Sequence, residues 1–341
     1  MPEIPLAIFL AFMAALVGFA AHRASLCTVR AVEEVFSSRR GFMLLSFAKT
    51  MLWVAGVTFV ILWVWPEIAA PRAAWTLTLP ALAGGMIFGV GAVFNGGCSI
   101  STLTRLGAGN LGILLSLIGF CAGLWMESHL APGLGWPLRA SVPALLSLAS
   151  AWSKPLLLLV LVWMAFEAVR LVRSRPADQT WRSRLLAQRY RLSTAAMIMG
   201  LSNGLLYAIA GAWAYTSTLS GGVRDLAGDQ PGPGPLLWLL FLALLAGIVV
   251  SAWQSGRFRL DWRPRPMWLG YFLGGGLMGF GAALVPGGND VLILQAIPSL
   301  SPHAVPVFLA MLAGIAMALG LMRMTGMEMP KVDCSGDLCR S

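Results

Sequence analysis

The sequence predicts an all-α integral membrane protein of about nine transmembrane helices, built as an inverted repeat with two broken, glycine-rich spans and short half-helices. Three observations predict it. Charged residues make up 11% of the 341-residue chain and apolar residues 58%, and the mean hydropathy is +0.77. Soluble domains carry about 25% charged residues, so this chain lacks the polar surface to face water on all sides and must use lipid as solvent. Apolar runs also recur at the length of about 20 residues that crosses a bilayer core of about 30 Å. Finally, two glycine-rich runs, far apart in the chain, end in the same way.

Nine apolar runs can be read in order. They are Ile4–Ala21, Phe42–Trp65, Leu79–Asn95, Leu111–Met126, Pro155–Val172, Ser193–Tyr215, Pro235–Trp253, Met267–Val285 and Val305–Met322. The third and eighth are short and rich in glycine. The expected organisation is a first membrane repeat plus the fifth span over 1–172 and a basic cytoplasmic linker over 173–192. A second, inverted repeat follows over 193–324, and a cytoplasmic tail over 325–341.

The formal charge of +10 comes almost wholly from arginine. The arginines sit between apolar runs rather than on one polar face, which excludes nucleic-acid binding and fits loops retained in the cytoplasm. Arg173–Arg191 holds six arginines and Arg257–Arg265 four, each with one acid, Asp178 and Asp261. Arg30, Arg39 and Arg40 follow the first run, whereas Glu67–Thr78 and Gly221–Gly234 carry few cations. Counting through places the N-terminus outside and the C-terminus in the cytoplasm. No cleavable leader is expected, because the first run follows Glu3 and ends at His22-Arg23 without a small-residue cleavage motif.

The repeat is carried by Gly85-Met-Ile-Phe-Gly-Val-Gly-Ala-Val-Phe-Asn-Gly-Gly97-Cys98 and Gly275-Gly-Leu-Met-Gly-Phe-Gly-Ala-Ala-Leu-Val-Pro-Gly-Gly288-Asn289. Each ends in Gly-Gly plus a small polar residue, and a short apolar stretch and another full run follow. Five runs precede the second half, and that odd offset makes the halves antiparallel, the inverted logic of secondary transporters whose interrupted helices hold the substrate. Close helix packing through small residues accounts for Gly84, Gly85, Gly89 and Gly91. It does not account for the paired endings.

Gly96-Gly97 and Gly287-Gly288 permit the left-handed backbone that ends a helix. Cys98-Ser99-Ile-Ser101-Thr102 can then open a new half-helix, whose free N–H groups and partial positive charge attract an anion. Irregular backbone at membrane depth is tolerated only where it is buried in protein or lines a cavity. The substrate-binding residues expected from this are Cys27, Cys98, Asn289, Ser99, Ser101, Thr102, Gly96, Gly97, Gly287 and Gly288. His22, Arg23, Arg105 and Asp290 support them. A thiol is polarisable and a weak donor, so it suits a soft sulfur anion that must also be released. Cys121, inside Ile118-Gly-Phe-Cys-Ala-Gly, reads as a small buried apolar residue.

Other groups carry less. His22, His129 and His303 have no ligand spacing, so neither a metal nor a cofactor is expected. Cys334 and Cys339 are separated by four residues and are not a Cys-x-x-Cys pair. At a cytoplasmic terminus they are expected to be reduced. They admit a sulfur relay or partner docking, with a flexible tail the simpler reading. Glu33, Glu34, Lys49, Arg105, Glu167 and Asp290 are intramembrane ionisable groups and so functional hypotheses by default. Trp63, Trp65, Trp125 and Trp136 fit an interfacial belt.

At these residues the chain resembles the YeeE/YedE family of sulfur-transport membrane proteins. The likeness is carried by His22 to Thr28, Gly96 to Gly109, and Met278 to Ala282 leading to Pro286–Asn289, and it runs from the first span to the ninth. It implies an hourglass-shaped inverted repeat in the bacterial inner membrane that imports thiosulfate. Cys27 and Cys98 match two family cysteines that pass the ion by S–H hydrogen bonds in turn. The third family cysteine follows the second Gly-Gly, where this sequence has Asn289. The resemblance also implies a small cytoplasmic sulfur-carrier protein as partner.

A transporter rather than an enzyme is therefore expected. A membrane thiol oxidoreductase or sulfurtransferase using Cys27 and Cys98 is the alternative; it needs a nearby base, for which His22 is the only histidine close in sequence. An anchor subunit for a cytoplasmic sulfur enzyme, and transport of a selenium oxyanion, are further alternatives.

Overall fold

The computed structural model describes residues 4–68, 73–130, 133, 141–143, 153–173, 187–228, 230–326 and 333–340. Most of the expected basic linker, with Asp178, and residues 327–332 of the tail lie outside the described residues, as does Trp136. Nine long helices form the body: α1 (Ile4–Ala24), α3 (Phe42–Val64), α4 (Leu79–Phe94), α6 (Leu114–Leu130), α7 (Ser153–Arg173), α8 (Leu192–Ala210), α10 (Pro235–Gln254), α11 (Met267–Leu284) and α13 (Ala304–Met324). Among the described residues, nine segments built on these helices are long and apolar enough to cross a membrane. The chain is a multi-pass membrane protein.

Four short helices interrupt the series: α2 (Thr28–Ser38), α5 (Ser99–Gly107), α9 (Tyr215–Leu226) and α12 (Asn289–Val291), the last continuing as a π-helical turn over Leu292–Ala296. Two of them were not separated in the sequence. The first run continues to Ala24 before α2 begins. The sixth run, read as unbroken over Ser193–Tyr215, stops at Ala210, and α9 occupies part of what was read as the Gly221–Gly234 loop. The cause is Gly211 at φ 82°, a conformation that only glycine adopts readily.

The helix contacts have a regular pattern. α1 packs on α10 as α8 packs on α3, and α6 packs on α11 as α13 packs on α4. The short elements follow: α2 touches α13 as α9 touches α6, and α5 touches α10 as the π-helical turn touches α3. The pairs α4–α11, α1–α8 and α5–α12 close on themselves. Exchanging the first six helices for the last six therefore leaves these pairings unchanged, with α7 outside the pattern and packed on α3.

Glycine sets how close these pairs come. On α6 and α11 the two backbones touch directly: a Cβ on Gly119 would lie 2.1 Å from Phe272 O, and one on Gly279 would lie 1.9 Å from Phe120 O. Gly91 and Gly274 bring α4 and α11 nearly as close, a Cβ on Gly274 lying 2.4 Å from Asn95 N. In lipid no hydrophobic force draws helices together, so such close approach supplies much of the cohesion.

One buried ion pair adds to it. Lys49 Nζ on α3 lies 2.8 Å from Glu167 Oε1 on α7 and donates to Ser193 Oγ at 2.7 Å. Arg170 NH2 also reaches Glu167 Oε1, at 2.8 Å, but its side chain is 49% exposed. Lys49→Met strands a carboxylate that is 3% exposed with only that weak partner. We expect it to lower stability by about 3 kcal/mol, read as earlier thermal unfolding in detergent. Glu34 is structural in a different way: its carboxylate accepts the Phe42 and Met43 N–H groups at 3.0 and 2.9 Å and so caps α3.

The end of the chain corrects an expectation. Rather than a flexible, reduced tail, Asp333–Ser335 (β1) and Leu338–Arg340 (β2) form an antiparallel hairpin with Cys334 paired opposite Cys339 and joined to it by a disulfide. Directly opposed hairpin residues bring their Cβ atoms close enough for such a bond. The turn docks on α8, where Asp337 O accepts Leu192 N at 2.8 Å and the Asp337 carboxylate accepts Ser193 N and Oγ, both at 2.9 Å. These bonds satisfy N–H groups that the first turn of a helix leaves without partners.

Candidate functional site

The four breaks between long and short helices come together. After α4, Gly96 at φ 71° ends the helix: its N–H reaches Val93 O at 2.9 Å and Gly97 N–H reaches Ala92 O at 2.8 Å, a paired closure typical of glycine at a helix end. After α11, Gly287 N–H reaches Ala282 O at 2.8 Å in the matching place. Cys98 and Gly288 then stand in extended conformation as the residues before α5 and α12. Cys27, also extended, precedes α2, and Ala214 precedes α9.

Cys27 and Cys98 are 1% and 0% exposed, and both are free thiols. They face each other closely enough to interact, and Thr28 N–H donates to Cys98 Sγ at 3.4 Å. A Cβ on Gly97 would sit 3.8 Å from Cys27 Sγ and 2.5 Å from Ser101 Oγ, so this glycine lets the backbone pass between thiol and hydroxyl. Thr102 Oγ1 accepts from Asn95 Nδ2 at 2.7 Å and donates to the Cys98 carbonyl at 3.0 Å, which holds the break in shape.

The second Gly-Gly joins the first through Ser99. Its hydroxyl donates to Asn289 Oδ1 and lies 3.3 Å from Asp290 Oδ1. Asp290 is held in turn by α9, with Thr216 Oγ1 donating at 2.7 Å and Thr216 N at 3.3 Å. Gly288 N–H reaches Thr216 Oγ1 at 3.3 Å. A continuous polar thread thus runs from Cys27 and Cys98 through Ser99 to Asn289, Asp290 and Thr216. Several of its buried atoms have no hydrogen-bond partner: Thr28 Oγ1, Asn289 Nδ2 and Asn95 Oδ1. Buried polar atoms are nearly always paired, so unpaired ones concentrated at one place call for an explanation.

A cavity of about 30 Å³ lies beside the thread, lined by Ala21, Ile100, Trp213, Tyr215, Asp290 and Leu294 among others. It has room for a water or two.

Not every residue singled out in the sequence reaches this place. His22 Nδ1 lies 2.8 Å from Ser251 Oγ. Arg23, 1% exposed, donates to Ser251 Oγ, Gln254 Oε1 and Ala187 O. Both tie the end of α1 to α10. Arg105 NH1 donates to Asn95 O at 3.1 Å and NH2 to Tyr271 OH at 2.6 Å, closing the end of α4. Cys334 and Cys339 are in the hairpin. Thr28, singled out beside Cys27 in the sequence, does reach this place, whereas Thr216 and the breaks at Cys27 and Ala214 were not singled out. The signal for Thr216 was present in the hydroxyl run Tyr215-Thr-Ser-Thr218 after Gly211. Among the described residues no three His, Cys, Asp or Glu side chains gather to hold a metal ion.

Comparison with known proteins adds an independent line. The family model described as sulphur transport matches residues 23–317. The chain is also similar to the thiosulfate transporter TsuA of Escherichia coli (strain K12), being 29% identical over 239 residues, which is 63% of this chain and 67% of the relative.

Proposed function

Because this chain belongs to the sulphur transport family, we propose that it carries thiosulfate, or a closely similar small sulfur anion, across the bacterial inner membrane through the point where its four breaks meet. The observation that carries this reading is the set of buried side-chain groups without partners, Thr28 Oγ1 and Asn289 Nδ2, beside the facing thiols of Cys27 and Cys98. These are donors held ready for an anion. A dianion entering between them gains hydrogen bonds strengthened by its charge, while the weak S–H donors keep it releasable. Ser99, Ser101 and Thr102 with the glycines of both breaks shape the passage, and Asn289 supplies a harder donor where the family carries a third cysteine.

The exchange symmetry of the helix contacts supports an inverted repeat of 1–172 and 193–324. Arginine placement supports the orientation with the C-terminus in the cytoplasm. Arg23 bonds both the segment before α8 and the end of α10, so the two arginine-rich links share one end of the molecule with the end of α1, as retention of cations requires. Arg257, beyond the end of α10, is held below the usual guanidinium range by burial, then by Arg189 and Arg23. A sulfur-carrier protein at that end would meet the hairpin of Cys334 and Cys339.

The test is uptake of labelled thiosulfate by proteoliposomes with sulfate, sulfite and selenite as competitors. Saturable uptake, displaced by sulfur anions and weakly by sulfate, is expected. No uptake, together with a persulfide or mixed disulfide on Cys27 or Cys98 by mass spectrometry, would instead mark a sulfurtransferase.

A further inference from the structure

A dianion entering an inside-negative cell moves against the membrane potential. At about 100 mV the two charges together oppose accumulation by roughly three powers of ten. A protein that concentrates such an ion must bring positive charge with it. The inference below rests on the thiosulfate reading and concerns where that charge is carried.

Five buried carboxyl groups lie in the described helices: Glu33, Glu34, Glu127, Glu167 and Asp290. Glu127 is engaged near the end of α6. Glu34 is saturated by the amides of α3, Glu167 is paired with Lys49 and Arg170, and Asp290 is held by Thr216 and Ser99. Glu33 differs. It is 2% exposed, and its Oε2 is the one buried carboxylate oxygen without a hydrogen-bond partner among the described residues. It lies on α2, the short helix that Cys27 precedes, and its electrostatic neighbours are Cys27 and Arg30. No described side chain on the elements packed on α2 reaches its Oε2. On α3 Lys49 is committed to Glu167, and α4 has no ionisable side chain. On α13 the one charged residue, Arg323, is in the last turn and exposed, and the strand Asp333–Ser335 carries Asp333 and Cys334, the latter in the disulfide.

We propose that Glu33 is the proton-carrying group that couples inward movement of the anion to entry of protons. A dianion beside Cys27 is repelled by an ionised Glu33 and not by a protonated one. The proton is taken from external water on to Oε2, travels as part of the anion-bound state, and is released to internal water when the anion leaves. The ionised carboxylate then discourages the anion's return. Each proton carried cancels one of the two charges.

Proteoliposomes clamped at zero voltage, with the outside one pH unit more acidic and a pH dye inside, read both ions. Wild-type protein is expected to accumulate thiosulfate up to about tenfold per coupled proton, with the lumen acidifying as it does. Glu33→Gln is expected to abolish both while keeping exchange of labelled for unlabelled thiosulfate within about threefold; Glu33→Asp is expected to restore coupling in part. Exchange in the wild type without proton entry would overturn the coupling and leave the transport reading standing. Coupling of full strength in Glu33→Gln would remove Glu33 from the role. No exchange in the wild type would overturn both.

Discussion

Replacing Cys98 by alanine is expected to cut thiosulfate uptake by about 10- to 100-fold, the loss that follows when one hydrogen bond to an ionised partner is removed. The thiol is fully buried where the breaks meet, between Thr28 and Cys27, so nothing else can take its place. Folding should hardly suffer. Alanine fills nearly the same space, and the one bond lost is a long contact from Thr28 N–H at 3.4 Å. Cys98→Ser keeps a donor but a shorter and harder one, and is expected to fall between alanine and wild type. Cys121→Ala is the control, because Cys121 is a half-buried apolar contact on α6. Uptake by purified, reconstituted protein at matched amounts checks all three. Full activity in Cys98→Ala would take the thiol out of the mechanism.

The largest effect on stability is expected from Gly279→Val. Its new Cβ would lie 1.9 Å from the carbonyl oxygen of Phe120, a backbone atom that cannot swing aside. α6 and α11 would have to separate along the stripe that also holds Gly119, Gly123 and Gly275. Overpacking usually costs 1–3 kcal/mol, and a clash with backbone across two helices belongs at or above the top of that range. Loss of monodisperse protein, or a fall in melting temperature well beyond that of Lys49→Met, is expected in detergent. Gly320→Ala on α13 is the contrast. A Cβ there meets nothing within 4 Å, and alanine favours the helix by about 1 kcal/mol over glycine, so that variant should be at least as stable as the wild type.

Much of this architecture was legible in the residues. The nine spans follow from length and apolarity, because the bilayer allows only one backbone solution for such runs. The two Gly-Gly breaks were legible for a local reason: glycine is the residue that turns a helix end without penalty. From them came the pairing of Cys98 with Asn289, which the structure links through the single hydroxyl of Ser99. The break at Gly211–Ala214 was hidden because Ala210, Ala212 and Ala214 keep the run apolar and no charged residue interrupts it, so composition alone reads one unbroken helix. Arg23 and Arg105 were legible only as support for the breaks they flank, because the sequence does not show what either side chain reaches. Their actual partners, the Ser251 hydroxyl and the Asn95 carbonyl, lie 228 and 10 residues away in the chain, and no local pattern announces a contact so distant as the first. The hairpin of Cys334 and Cys339 was missed for a similar reason: its anchor is the start of α8, more than a hundred residues earlier.

The account turns on Cys98 lying on an anion path rather than inside a sealed core. Modification of that thiol by a water-soluble, positively charged methanethiosulfonate, in protein with Cys27 and Cys121 replaced by serine, measures this directly. Slow modification that thiosulfate suppresses at least tenfold and sulfate does not is the expected result. A thiol that reacts only with membrane-permeant maleimides, or at a rate thiosulfate leaves unchanged, would contradict it.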